Sequence, residues 1–239
     1  DRLVAEMERG GGLITRRDLK QYRALEREPV RGSFHGFDIV SMPPPIRAGD
    51  GRVETHNILE PRDRKAKGQQ TAPPLHLQIE AMKLAFADVY RFVSERSTME
   101  ISTEQLLDDA YLASRAKLID PKRAQDFGVG NPVKGGTIYL TAADESGMMV
   151  SFIQSNYMGF GSGVVVPGYG VSLQNRGHGF SLDAASPNVV APRKRPFHTI
   201  IPGFLTKDGR PQMSFGVMGG NMQPQGHLQT LVRMLDHGQ

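Results

Sequence analysis

The chain has 239 residues, enough for one large domain or two small ones, and its 38% hydrophobic and 23% charged content is that of an ordinary globular protein. It has no cysteine, which excludes disulfides, thiolate metal sites and cysteine nucleophiles, and no apolar run near the roughly 20 residues that span a bilayer. The net charge is +4, yet the basic residues are dispersed apart from 62–67 and 193–195 and carry no nucleic-acid motif, so nucleic acid is not an expected partner.

The chain opens on Asp1-Arg2-Leu3 with neither an initiator Met nor an apolar signal core, and is expected to be the middle of something longer. A helix over 2–9 stops at Gly10-Gly11-Gly12. Another restarts at Thr15, where Asp18 forms a capping-box-like pair. Short β-runs follow around Val30 and over 38–41, then Pro43-Pro44-Pro45 imposes a stiff turn. Residues 46–71 read as polar and irregular, with 62–67 as a solvated loop.

The clearest helix opens at Pro73-Pro74, with Leu75, Ile79, Met82, Phe86, Tyr90 and Val93 spaced by three and four along one apolar face. Ser102, with Gln105 in the capping-box position, begins a further helix whose buried side is Leu106, Leu107, Ala110, Tyr111 and Leu118, and Asp120-Pro121 ends it. A Gly-, Pro- and Asn-rich loop over 128–136 leads into a hairpin of two β-runs, 137–143 and 148–156. More β-runs fit 163–166, 171–174, 199–205 and 212–217, and a helix from Pro224 presents Leu228, Leu231, Val232 and Leu235. Helices, then strands, then a helix make an α+β pattern, without internal repeats.

Four places can carry chemistry. Thr137 follows Gly135-Gly136 at the start of a strand. A threonine hydroxyl needs a base, and an N-terminal threonine brings its own, because its free α-amine titrates near pH 8. The local alternative is a plain loop ending. Gly219-Gly220, between a β-run and a helix, can bring N–H groups close to an oxyanion or simply form a tight turn. The glycines of 159–163 precede Val164-Val165-Val166 rather than a helix, which argues against a phosphate loop. His178 and His198 have no zinc-like spacing and are equally readable as structural, so neither metal nor cofactor is expected.

In order along the chain, Gly11-Gly12-Leu13-Ile14-Thr15 with Asp18-Leu19 and Tyr22, Pro29-Val30-Arg31-Gly32, Ser41-Met42-Pro43-Pro44-Pro45, Glu80 to Asp88, Phe160-Gly161-Ser162-Gly163, Lys194-Arg195-Pro196 and Gly219-Gly220 resemble the γ-glutamyltransferase (γ-glutamyltranspeptidase) family of N-terminal nucleophile hydrolases. The resemblance covers nearly the whole chain. It implies a four-layer αββα sandwich, incomplete at both ends here, and a precursor that cuts itself between Gly136 and Thr137. Residues 1–136 would then be the later part of a large subunit and 137–239 the first part of a small one, the two staying associated. The implied activity is hydrolysis or transfer of γ-glutamyl amides of the glutathione type through a covalent acyl-enzyme on Thr137. Classical relatives are periplasmic or secreted, and divergent ones can be cytoplasmic.

By position, the resemblance makes Gly219 and Gly220 the oxyanion donors, where losing one donor typically costs about 10² to 10³ in rate. Ser155 matches the hydroxyl that bonds the nucleophile, and Tyr157 matches a substrate-binding asparagine for which Asn156 could substitute. Several family features are altered. Ile138-Tyr139 replace the usual threonine or serine and histidine after the nucleophile. Asn175-Arg176-Gly177-His178-Gly179 stand where acids bind the glutamate ammonium, and His198-Thr199 where paired serines grip its carboxylate. Arg176 and His178 thus bring positive or switchable charge to the pocket. The family's carboxylate-binding arginine lies in a region this chain does not include. A glutaryl-type amide acylase of the same family, or a non-catalytic piece that only binds or assembles, are the alternatives.

Overall fold

The computed structural model describes residues 1–59, 72–127 and 136–239. The basic run 62–67 and most of the loop expected over 128–136 fall outside the described residues. The chain forms α1 (Arg2–Arg9), α2 (Arg16–Gln21), the hairpin β1 (Val30–Phe34) and β2 (Phe37–Ser41), then α3 (Arg47–Leu59), α4 (Ala72–Phe92), α5 (Thr103–Leu106) and α6 (Asp109–Ala116). It continues through β3 (Gly136–Ala143), β4 (Met149–Tyr157), β5 (Val165–Val166), β6 (Val171–Ser172), β7 (Gly203–Lys207), β8 (Arg210–Phe215) and α7 (Gln223–His237). The class is α+β, as expected.

Side-chain chemistry sets the helix starts. Thr15 Oγ1 accepts from the Asp18 N–H while Asp18 accepts from the Thr15 N–H, closing a reciprocal cap on α2. Ser102 and Gln105 do the same for α5. The Asp108 carboxylate accepts from the Tyr111 N–H, so α6 begins anew rather than continuing α5.

The main sheet runs β1-β2-β7-β8, antiparallel throughout, with Ile39 opposite Leu205 and Phe204 opposite Ser214. Helices α3, α4 and α7 pack on one another and on this sheet. The core joins Ile58 and Leu59 of α3, Ala81 and Leu84 of α4, Leu228 and Leu231 of α7, and Phe34, Ile39 and Leu205 of the sheet. Gly32 lets α3 cross β1, since a Cβ there would collide with Val53. Asp88 of α4 holds α6 with two bonds to Arg115, at 2.8 and 2.7 Å, and one of 2.9 Å from the Tyr111 hydroxyl.

The β3–β4 hairpin lies against β8. Tyr139 sits on Gly216, and Thr141 bonds Ser214. Its opposite face, carrying Ile138, Leu140, Val150 and Phe152, is exposed.

The structure corrects several sequence expectations. The stretch expected to be irregular from Ile46 contains α3. Among its described side chains, Glu54, Thr55 and His56 are buried along with Val53, Ile58 and Leu59, so polar residues are not confined to an outer face and leave no legible period. On α4 the buried positions are Leu77, Ala81, Leu84, Ala85 and Val89 together with Met82, while Ile79 is exposed. Of the six positions expected on its apolar face, Met82 and Val93 are buried, and the contact also takes in Leu77, Leu84 and Val89 with the small Ala81 and Ala85. The helix expected beyond Ser102 is two helices, and Leu118 is exposed. The β-runs expected over 199–205 and 212–217 shift to Gly203–Lys207 and Arg210–Phe215, because the pair is set by the Asp208-Gly209 turn. Those over 163–166 and 171–174 shorten to two residues each.

Leu231 is fully buried between the helices and the sheet. Replacing it with alanine should lower the unfolding free energy by about 2–5 kcal/mol, read from the shift in a urea denaturation midpoint.

Candidate active site

Thr137 stands at an irregularity in the β3–β4 ladder. Gly136 pairs with Tyr157 and Ile138 with Gln154, so Thr137 alone faces two residues, Ser155 and Asn156. A bulge of this kind bends the strand and re-aims a side chain. Here the Thr137 hydroxyl donates to Ser155 Oγ at 3.2 Å, and the Tyr157 N–H donates to the same oxygen at 2.9 Å. Tyr157 has a left-handed φ of 78°, a conformation uncommon for a bulky residue.

The end of β4 is fastened to the following loop. Asn175 N–H donates to Asn156 O at 3.1 Å, and Asn175 Oδ1 accepts from the Met158 N–H at 3.1 Å. Gly161, with φ of 74°, passes so near Leu173 O that a Cβ would not fit. These contacts bring the 174–179 segment beside Ser155.

A cleft of about 430 Å³ opens there, lined by Ser155, Gln174, Arg176 and His198 on one side. Tyr22, Leu25, Arg27 and the run 42–46 line the other side, with Arg195 and Pro196 completing it. The two walls are joined where the His198 N–H donates to Pro45 O at 3.3 Å. Arg176 is 4% exposed. Its Nη1 donates to Thr199 Oγ1 at 3.3 Å, its Cζ lies 5.2 Å from the Tyr157 ring centroid, and its Nη2 has no hydrogen-bond partner among the described residues. Burial lowers its pKa to about 10, so it stays charged at neutral pH. Burial, and then the charge of Arg176, pushes His198 down to about 3 and keeps it neutral.

Of the residues singled out from sequence, Ser155, Arg176 and His198 share this cleft, with Thr137, Tyr157 and Thr199 bonded or stacked to them. His178 lies in a short 3-10 turn, Arg176–Gly179, exposed, its ring 6.5 Å from that of Tyr157. Gly219 and Gly220 do not line the cleft. They form the positive-φ turn into α7, at 126° and 60°, three and four residues beyond the Gly216 that contacts Tyr139. Sequence reasoning missed the charge pairing on the far wall. Glu95, mostly buried, sits between Arg195 at 3.3 Å and Arg27 at 4.0 Å. Nothing in the local sequence joins positions this far apart.

The family model for gamma-glutamyltranspeptidase matches residues 1–239. The chain is 35% identical over 241 residues to the glutathione hydrolase-like YwrD proenzyme of Bacillus subtilis, covering 99% of this chain and 45% of that one. It is 34% identical to the acylase ACY 1 proenzyme of a Pseudomonas species, over 98% of this chain and 42% of the relative. The crystal structure of cephalosporin acylase from Bacillus halodurans superposes with a TM-score of 0.92 at 46% identity, over 100% of this chain and 43% of that one. The chain therefore belongs to the gamma-glutamyltranspeptidase family and has the fold of its N-terminal nucleophile hydrolases. It spans less than half the length of these relatives.

The neutral His198 has a consequence for stability. Between its ordinary pKa of 6.5 and about 3, the unfolded chain takes up a proton that the folded chain refuses. Stability is therefore lost as pH falls through that window, by at most about 1.4 kcal/mol per pH unit from this one group. The urea midpoint should fall between pH 7 and pH 4, and less steeply in a His198→Gln variant.

Proposed function

We propose that this chain belongs to a self-processing amide hydrolase or acyltransferase that acts on γ-glutamyl-type amides, glutathione-like substrates among them, with Thr137 as nucleophile. The observation that carries this reading is the Thr137 hydroxyl, turned by the bulge onto Ser155 at the peptide bond that follows Gly136. In the first reaction the Thr137 oxygen attacks the Gly136 carbonyl carbon, the Thr137 nitrogen leaves with a proton, and water hydrolyses the resulting ester. This frees a Gly136 carboxylate and a Thr137 α-amine. The amine then serves as the base for the same hydroxyl, which attacks a substrate amide and holds its acyl group as an ester. Water or an amine removes the acyl group. Gly219 and Gly220 are the proposed N–H donors to the oxyanion. Relatives named as a glutathione hydrolase-like proenzyme and an acylase proenzyme support both the processing and the reaction class.

The division into 1–136 and 137–239 fits the sheet. Strands β1 and β2 precede the scissile bond, β7 and β8 follow it, and β2 pairs with β7 through Ile39 and Leu205. Cutting one peptide bond leaves this ladder and its shared core intact, so the two pieces remain associated.

A second reading, a glutaryl-type acylase, is favoured by one observation. Among the described residues lining the cleft, none is acidic, so nothing there pairs with a substrate ammonium.

Denaturing mass analysis of the protein should show two pieces split between Gly136 and Thr137, and a Thr137→Ala variant that stays whole and loses amidase activity by at least about 10³-fold. An intact wild-type chain would overturn self-processing. Rates on γ-glutamyl and glutaryl anilides separate the two acyl groups, and faster turnover of the γ-glutamyl compound removes the second reading.

A further inference from the structure

Bond cleavage at Thr137 makes no use of the three arginines that line the cleft. Arg27 and Arg195 each have an anion beside them, since they share the Glu95 carboxylate at 4.0 and 3.3 Å. Arg176 is different. It is the most buried of the three, its guanidinium gives one bond to the neutral Thr199 hydroxyl, and Nη2 meets no acceptor among the described residues. Its only other described company is the Tyr157 ring, which attracts a cation through its π-face, and His198, held neutral. Burying a guanidinium with an unmet donor and no carboxylate beside it is unfavourable, and such groups are normally matched by an anion. The fork of N–H donors suits a carboxylate, which accepts two of them in parallel.

The cleft supplies the connection. Ser155, which holds the Thr137 hydroxyl, lines the same space as Arg176. One small molecule can therefore present its amide to Thr137 and a free carboxylate to Arg176. The geometry points to Arg176 as the receptor for the free carboxylate at the far end of the acyl group, the residue that restricts this site to acyl groups ending in an acid. Both γ-glutamyl and glutaryl groups carry that carboxylate, and simple fatty acyl groups do not. The inference rests on the acyl-transfer reading for its substrate, but not for its anion. Stacking on Tyr157 fixes the guanidinium plane, and the Thr199 bond fixes its rotation, so the receptor is formed before the ligand arrives.

Two measurements test this on the protein. The first is kcat/KM for glutaryl and butyryl anilides, which differ only by the terminal carboxylate. Wild type should prefer the glutaryl compound roughly 10- to 100-fold, the range for a charge-assisted hydrogen-bonded pair. Arg176→Gln should shrink that ratio at least tenfold, and Arg176→Lys should keep part of it. The second is calorimetric binding of glutarate, which needs no turnover. Its Kd should rise tenfold or more in Arg176→Gln and less in Arg176→Lys, while butyramide should bind wild type more weakly than glutarate by a similar factor. Glutarate binding unchanged by Arg176→Gln, or equal wild-type rates on the two anilides, would overturn the assignment. Should Arg176→Gln not fold, the wild-type comparison of glutarate with butyramide and the Arg176→Lys variant decide it. If no anilide turns over but glutarate binding depends on Arg176, the acyl-transfer reading fails and the carboxylate receptor stands.

Discussion

One extra residue in one strand organises the candidate site. Between the pairs Gly136–Tyr157 and Ile138–Gln154, β3 supplies a single residue and β4 supplies two. Thr137 consequently cannot sit in the ladder like its neighbours. Its hydroxyl meets Ser155, whose oxygen is pinned from the other side by the Tyr157 N–H. Tyr157 itself turns to positive φ, and its ring lies 5.2 Å from the Arg176 Cζ. A regular ladder would send every side chain to its alternating face and dissolve this arrangement. The two-residue opposition therefore places both the Thr137 hydroxyl, the proposed nucleophile, and the wall of the cleft.

Around that point, the charge distribution is uneven in a consistent way. The walls of the cleft come from either side of Gly136–Thr137, the 22–46 stretch facing 174–198. Arg27 from the first and Arg195 from the second meet at Glu95, which follows α4. That buried carboxylate ties the walls together and offsets one of their two charges. Arg176 has no such partner among the described residues, and burial, with the Arg176 charge added, keeps His198 neutral. Low polarity and fixed charge reinforce each other here, because burial strengthens electrostatic interactions as well as making an unmatched ion costly.

The same interleaving is what would let the chain remain one body after the proposed cut. The core takes Phe34, Ile39 and Leu84 from before the Gly136–Thr137 bond, and Leu205, Leu228 and Leu231 from after it. Apolar burial and ladder hydrogen bonds do not depend on chain continuity at Gly136. The junction itself lies at the start of a strand whose register is set by β4, so departure of one end need not disturb the hydroxyl.

The sequence by itself determined the elements whose signals are local. Thr15 with Asp18 and Ser102 with Gln105 announced helix starts, since a cap is made within four residues. The β3–β4 hairpin and α7 were legible because alternation and a 3.6-residue period are written along the chain. The ordered motifs also pointed to the family, and through it to Thr137 and Ser155. Only the tertiary structure decided the rest. Helix α3 was invisible because it buries Glu54, Thr55 and His56 beside Val53 and Ile58, which breaks the apolar and polar alternation that marks an amphipathic helix. The face of α4 was only partly legible because Leu77, Ala81, Leu84 and Val89 are buried alongside Met82, a contact broader than the spacing from Leu75 reveals. The Glu95 bridge and the isolation of Arg176 join residues tens of positions apart, and ion pairing depends on distance in space and on burial, neither of which is written in local sequence.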